Sequence, residues 1–281
     1  MMIKIIAVML MVTSQVFAFA PQKMISYNIR QDTEGDKGLK DWQQRMPNVV
    51  KFLQEQQPSV IGLQEVRNNQ LEDLEKNLPD YGKVGVGRED GIAKGEYSPI
   101  LYDKSVWRMD EKESGTFWLS DTPDVPNSKT WGNRYTRICT WVRLIDKAGT
   151  GKGIYIYNTH WDHQSQPSRE KAAVLILKMI KQRKNKAESC ILMGDFNATT
   201  KNPAVKTLLI DGSLIDHGKR QMKTSNYWKA ALKVGLRIDH IFVSPELKKA
   251  EVKVVATGDP PASDHHPIVM TVDLVKSASG K

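Results

Sequence analysis

Residues 189–200 read S-C-I-L-M-G-D-F-N-A-T-T. Cys190 to Met193 form a short continuous apolar run, the pattern of a fully buried strand. Gly194 ends the run, and Asp195 and Asn197 follow at i and i+2, which share one side of an extended backbone. A carboxylate and a carboxamide would then project together from the end of a buried strand, where open sheets collect their ligands. Gly, Asp and Asn also make Asx-type turns for local hydrogen-bonding reasons, so this stretch alone supports either reading. Similar side chains lie at the ends of other strand-like segments: Asn28, Glu65, His160, Asp239 and the pair Asp264-His265. Phosphoryl chemistry needs such a set. A hard cation such as Mg²⁺ takes one or two carboxylates, an attacking water needs a base, and the charged pentacoordinate state needs donors.

Those side chains must be held by regular elements. Residues 23–28 alternate as a first strand. Trp42, Met46, Val49, Val50 and Leu53 recur at helical spacing, which predicts a helix over 41–56 with Asp41 as N-cap and Pro58 beyond its end. Residues 60–63 read as a short apolar strand delivering Gln64 and Glu65, and 69–78 as a second helix. Short strands are expected at 84–87, 100–102, 107–109 and 116–119. Residues 138–144 and 154–160 form a hairpin, followed by a helix from Pro167 to about Arg183 and the strand that ends at Asp195. A short helix at 204–209 precedes strands at 237–243, 252–256 and 268–274, a late antiparallel group. A two-fold echo, strand–helix–strand, covers 23–65 and again 154–197, and in each copy both strands finish on polar residues. Mixed strands with interleaved helices predict an α/β sandwich of two packed sheets with helices outside.

The chain has 281 residues and a formal net charge of +9, which favours polyanionic partners or membrane surfaces but also fits a basic solvated surface with no partner. Residues 1–18 read as a secretory signal: Lys4, an apolar core over 5–12, and the small-residue site Val16-Phe17-Ala18. The apolar run is too short to span a membrane, so the expectation is an exported protein without a stable anchor, with one domain over 19–281. The two cysteines invite a disulfide. The hairpin argues against it, because it sets Cys139 near the His160 end of its partner strand while Cys190 opens the strand to Asp195, leaving the sulfurs at opposite ends of a sheet.

Six motifs, S-Y-N-I-R, G-L-Q-E-V, Y-N-T-H-W-D, M-G-D-F-N-A, R-I-D-H-I-F-V-S and S-D-H-H-P, occur in one order over about residues 23–274. In this the chain resembles the endonuclease/exonuclease/phosphatase superfamily, and G-T-F-W-L-S and R-I-C-T-W resemble its exported bacterial branch. The resemblance implies a four-layer α/β sandwich of the deoxyribonuclease I type and hydrolysis of phosphoesters with Mg²⁺ or Mn²⁺. It implies that Glu65 binds metal with Asn28 and Asp264 in the same site, and that His160 and Asn197 donate to the scissile phosphate. Asp195 would position or deprotonate the nucleophilic water, and His265 would be the active-site histidine with Asp239 hydrogen-bonded to it.

Superfamily members differ in their loops, as functions on one fold generally do. Here the loops at 85–99, 121–133 and 212–233, with their flanks, carry Arg88, Lys94, Lys129, Arg134, Lys219, Arg220, Lys223 and Lys229, which predicts a basic mouth. Arg88, Glu96 and Tyr97 are candidates to line the substrate entrance, a solvated surface loop being the other reading. Trp118 and Trp131 either stack a base or sugar or belong to the core. His266 reads as a surface residue or one behind the site. The expected partner is a phosphorylated substrate, nucleic acid first, with sugar, inositol or lipid phosphates as the alternative and a non-catalytic polyanion-binding module as a remote one. No protein partner is evident.

Overall fold

The computed structural model describes residues 21–148, 151–219, 221–247 and 249–274. The signal expected at 1–18, the polar tail at 277–281 and Arg220 lie outside them. Two parallel strand–helix–strand units organise the chain, as the echo predicts. In the first, β1 (Gln22–Asn28) runs through α1 (Trp42–Gln56) to β2 (Val60–Gln64), and β1 and β2 pair in parallel. In the second, β7 (Gly153–His160) runs through α3 (Gln166–Gln182) to β8 (Cys190–Asp195), again in parallel. The Asp41 carboxylate accepts from the Gln43 N–H and starts α1, satisfying one of the donors a helix N-terminus leaves free. Ser165 does the same for α3, with Pro167 in its first turn.

Each unit seeds a six-stranded sheet. The first has the order β11 (Ala250–Val254), β12 (Ile268–Val272), β1, β2, β4 (Ile100–Asp103), β3 (Tyr81–Val84). The second has the order β5 (Trp107–Trp118), β6 (Ile138–Asp146), β7, β8, β10 (Asp239–Val243), β9 (Ile215–Asp216). The sheets pack face to face through Met24, Val60, Ile156, Met193, Ile241 and Met270. The outer face of the first sheet is covered by α1 and α2 (Asn68–Asn77) through Trp42, Val49, Leu53, Leu71 and Leu74. The outer face of the second is covered by α3 and α4 (Pro203–Leu209) through Ile176, Ile180, Val205 and Leu208. The result is the four-layer α/β sandwich expected. Central strands buried on both faces carry apolar residues at consecutive positions, which is why β2 and β8 read as unbroken runs.

Three expectations need correction. Residues 107–119 do not hold two short strands: β5 is one strand whose register with β6 breaks between Met109 and Ser114, so the polar stretch there is a bulge within a strand. The strand expected at 84–87 lies earlier, at β3. The late strands do not form one group, because β10 pairs with β8 in the second sheet while β11 and β12 extend the first. The cysteines are both free and buried, Cys139 opposite Thr159 and Cys190 opposite Tyr155.

Candidate active site

Strand register decides which polar ends meet. His160 is the parallel partner of Asp195, and Asp195 the antiparallel partner of Asp239, so one row across the second sheet ends in all three. In the first sheet, Asn28 lies beside Gln64 at the ends of β1 and β2, and Glu65 follows with φ 61°. A left-handed glutamate is uncommon and costs about 1–3 kcal/mol. It is held by hydrogen bonds to both carboxylate oxygens, from Asn28 Nδ2 at 3.0 Å and the Gln31 N–H at 3.2 Å. Asn28 Nδ2 also donates to Asp195 Oδ2 at 3.0 Å, joining the two sheets at the site.

Asp195 and Asn197 come together for a different reason from the one expected. The strand ends at Asp195, and Asn197 sits in a left-handed turn (φ 47°) whose N–H donates to Asp195 Oδ1 at 2.8 Å. The strand end and the Asx-type turn are therefore both present. Gly194, at φ 150°, makes the approach possible, since a Cβ there would meet the Thr159 carbonyl oxygen at 2.0 Å. Asn197 Nδ2 lies 3.0 Å from both His160 Nε2 and the Trp161 carbonyl oxygen. This makes Nε2 of His160 an acceptor and puts its proton on Nδ1.

His265 Nδ1 is 2.8 Å from Asp239 Oδ2, and its Nε2 is 3.8 Å from Asp195 Oδ2. His160 Nε2 approaches the same Asp195 oxygen at 3.6 Å. Burial and the Asp239 charge push Asp195 up to about 7. Burial alone would lower His265, but the Asp239 and Asp195 carboxylates outweigh it and raise the imidazole well above its ordinary value. Burial, with Arg137 and Arg88 nearby, drives His160 well below its ordinary value, so it stays neutral. For Glu65, burial is outweighed by the Asn28 hydrogen bond and the His265 charge, and its carboxyl lies below its usual range.

Among the described residues, two groups of side chains bring ligand atoms close enough to share an ion: Glu65, His160 and Asp195, and Asp195, Asp239 and His265. Asp264 stands outside both, its carboxylate 3.9 Å from Arg30 Nη1. Asn28 Oδ1 accepts from the Arg30 N–H at 3.0 Å, leaving one lone pair free. An ionised, doubly hydrogen-bonded carboxylate beside amide and carboxylate oxygens fits a hard divalent cation.

The substrate-entrance candidates divide. Arg88, Glu96 and Tyr97 are all buried, which corrects the surface-loop reading. Arg88 Nη1 is 2.7 Å from Glu96 Oε2, and that oxygen is 3.7 Å from His160 Nδ1, so this pair adjoins the site. Tyr97 instead pins the loop: its hydroxyl lies 2.9 Å from Asn68 Oδ1 and 3.1 Å from the Ile92 carbonyl oxygen, and its ring joins the α1/α2 core. Trp118 and Trp131 are core residues. His266 is 1% exposed rather than on the surface, with its N–H bonded to the Thr224 carbonyl. Lys219 and Lys223 line a separate groove along β11, so the basic loop residues do not all ring the site.

Several supporting residues carry no chemical signal in sequence. Arg45, 1% exposed on α1, donates to the carbonyls of Ile29, Arg30, Lys40 and Ala262. It thereby ties the segment after Asn28 to the one before Asp264. Gln70, fully buried, accepts from Asp32 N–H and donates to the Arg30 carbonyl. Ser263 Oγ donates to the Asn28 carbonyl at 2.7 Å, and the loop residue Asn226 donates its N–H to the Asp264 carbonyl at 2.8 Å. Gln64 and Asn158, both inside recognisable motifs, bond each other between the sheets at 2.7 Å, so their part is structural. Arg45 at an apolar-stripe edge is the one that a helical-face count could have flagged.

The two sheets bring carboxylates, imidazoles and amides to one end of the sandwich, the groups that phosphoester hydrolysis requires. The chain belongs to the Endonuclease/Exonuclease/phosphatase family, whose model matches residues 25–265. A family protein of Bacteroides vulgatus superposes with a TM-score of 0.83 at 32% identity, covering 92% of this chain and 100% of that one. A mannosyl-6-phosphatase of Bacteroides thetaiotaomicron superposes at 0.81 with 32% identity, covering 89% of this chain and 99% of that one. The "Probable RNA exonuclease NGL3" of Saccharomyces cerevisiae is 27% identical over 201 residues, 64% of this chain and 38% of that protein. The chain therefore spans well under half the length of that curated relative.

Proposed function

We propose that this is an exported, divalent-metal-dependent phosphatase that cleaves the phosphate ester of a small polyhydroxylated alcohol, such as a sugar. The observation that carries the choice of substrate is Glu96, a buried carboxylate 3.7 Å from His160 Nδ1. Paired with Arg88 at 2.7 Å, it leaves little net positive charge to attract a further phosphate of a polyanion, and it can accept hydrogen bonds from neutral hydroxyls. The 32% identical mannosyl-6-phosphatase supports the same reading. Nucleic acid is the second reading, favoured by the exonuclease relative and the net charge of +9.

In this reading Glu65, with Asn28 beside it and Asp264 farther out, would hold Mg²⁺ or Mn²⁺, which would supply positive charge to offset the negative charge that builds on the phosphoryl oxygens. Asp195 orients the attacking water and takes its proton, its raised pKa matching a base that works near neutrality. His265, kept cationic by Asp239, donates from Nε2 to a phosphoryl oxygen. Asn197 steadies neutral His160, which lines the same side. Export rests on the leader-like residues 1–18, and N-terminal sequencing of the mature protein should find cleavage after Ala18. Among the described residues no helix is long and apolar enough to cross a membrane.

The test is a panel of hexose phosphates, inositol phosphates, sphingomyelin, DNA and RNA under one Mg²⁺ concentration. Release of inorganic phosphate from a sugar phosphate, absent with chelator, is expected. Cleavage of nucleic acid with a steep salt dependence, and no sugar-phosphate turnover, would replace this reading with the second.

A further inference from the structure

A line of contacts leads away from the reaction centre to the molecular surface. It starts at His160 Nδ1, a buried nitrogen with no hydrogen-bond partner, which faces Glu96 Oε2 at 3.7 Å. Glu96 is bonded to Arg88 Nη1 through that oxygen, and among the described residues its other oxygen accepts no hydrogen bond. Arg88 is 6% exposed, its Nε is unpartnered, and its guanidinium lies 5.7 Å from the Tyr135 ring centroid. Tyr135 is 41% exposed and stacks with the exposed His163 at 6.0 Å and 24°. Arg137 completes the set. It is 4% exposed, its Nη2 is 3.2 Å from His163 Nδ1, and its Nε and Nη1 make no hydrogen bond.

Buried donors left without partners cost about 1–3 kcal/mol each, and native proteins keep few of them. Among the described residues, four such nitrogens belong to this set: His160 Nδ1, Arg88 Nε, and Arg137 Nε and Nη1. Their charges nearly cancel, since Glu96 answers Arg88, and Arg137 has Asp162 at 3.8 Å. A second anionic group would gain little from such a mixture. A hydroxyl group is donor and acceptor at once, so adjacent hydroxyls match a guanidinium and a carboxylate set side by side. The flat Tyr135–His163 pair offers an aromatic wall for the apolar face of a ring.

Resting on the phosphatase reading above, we infer that Arg88, Glu96 and Arg137, walled by Tyr135 and His163, form a specificity subsite for the ring hydroxyls of the sugar carrying the phosphate. Arg88 and Glu96 are entrance candidates from their place in the sequence, whereas Arg137, within R-I-C-T-W, and Tyr135 and His163 carry no such signal.

The test compares kcat/KM for a hexose 6-phosphate with that for n-propyl phosphate, both primary alkyl esters, in wild type, Glu96→Gln and Tyr135→Ala with Mg²⁺ supplied. Because Glu96 is buried, Tyr135→Ala on the exposed rim provides a variant expected to fold, and thermal melting checks both. Wild type should prefer the hexose ester, chiefly through KM. Losing hydrogen bonds to charged groups should shrink that preference about tenfold or more in Glu96→Gln, and Tyr135→Ala should raise KM for the sugar ester more than for propyl phosphate. If wild type turns over both esters without preference, or the folded variants keep its preference, the subsite is wrong while the phosphatase reading stands. If wild type hydrolyses neither ester, both fall together.

Discussion

Replacing Asp239 with Asn removes one negative charge from the buried row and leaves the side-chain shape almost unchanged. Asp239 Oδ2 holds His265 Nδ1 at 2.8 Å, and its charge helps to raise both His265 and Asp195. A hydrogen bond to a charged group is worth about 1.5–3 kcal/mol. If the reaction uses the imidazolium, that loss corresponds to roughly a 10- to 100-fold fall in kcat/KM near neutral pH. The sign of each pH effect follows. Asp195 must be ionised to take a proton, so the rate rises with pH through about 7 in wild type. Without the Asp239 charge Asp195 ionises more easily, and the acid limb moves to lower pH. His265 must stay protonated, and with its partner gone burial lowers it, so the alkaline limb also moves to lower pH. Measuring kcat/KM against pH for the variant and wild type, with saturating Mg²⁺, reads both limbs. A variant profile that superimposes on wild type, or falls equally at every pH without moving, would refute the electrostatic coupling.

Asp195→Asn should lower kcat by about 10²–10⁴-fold. It should also raise the melting temperature above pH 7 in chelator, because a carboxyl raised from 3.8 to about 7 loses folded-state stability as pH climbs through that window; a lower melting temperature there would count against the assignment. Glu65→Gln should move the Mg²⁺ activation midpoint to higher concentration, with rate recovering as metal is added, and an unchanged titration would remove Glu65 from the metal site. Gly194→Ala should cost at least about 2 kcal/mol in denaturant unfolding, since its Cβ would stand 2.0 Å from the Thr159 oxygen at a φ of 150°; wild-type stability would contradict the close approach.

Much of this architecture is legible in sequence because it rests on local rules. The Asp41 cap, the Trp42-to-Leu53 stripe and the apolar run before Gly194 are written over a few residues each, and the twin strand–helix–strand units follow from them. Sheet membership is not local. Whether β10 sits beside β8 or β12 depends on pairing between distant segments, so the late strands read as one group and proved to be divided. The bulge in β5 hides in the same way, since a charged stretch within a strand has the composition of a turn. The strand-end residues could be gathered from their types, but their geometry could not. Asp195 and Asn197 meet through a left-handed turn, not an extended backbone. Burial of Arg88 and Glu96 was illegible because a glycine-rich charged loop has the composition of a solvated one. Arg45 and Gln70 look like surface residues of a helix until the carbonyls they satisfy are seen.

Water attack on phosphorus at the Glu65–Asp195–His265 site is tested most directly by isotope transfer. Hydrolysis of a hexose 6-phosphate in H₂¹⁸O with Mg²⁺ should place one ¹⁸O in the released inorganic phosphate and none in the sugar, read by ³¹P NMR or mass spectrometry, and labelled phosphate should form about 10²–10⁴-fold more slowly with Asp195→Asn. Label in the sugar hydroxyl, or labelled phosphate forming at the wild-type rate in that variant, would contradict the account.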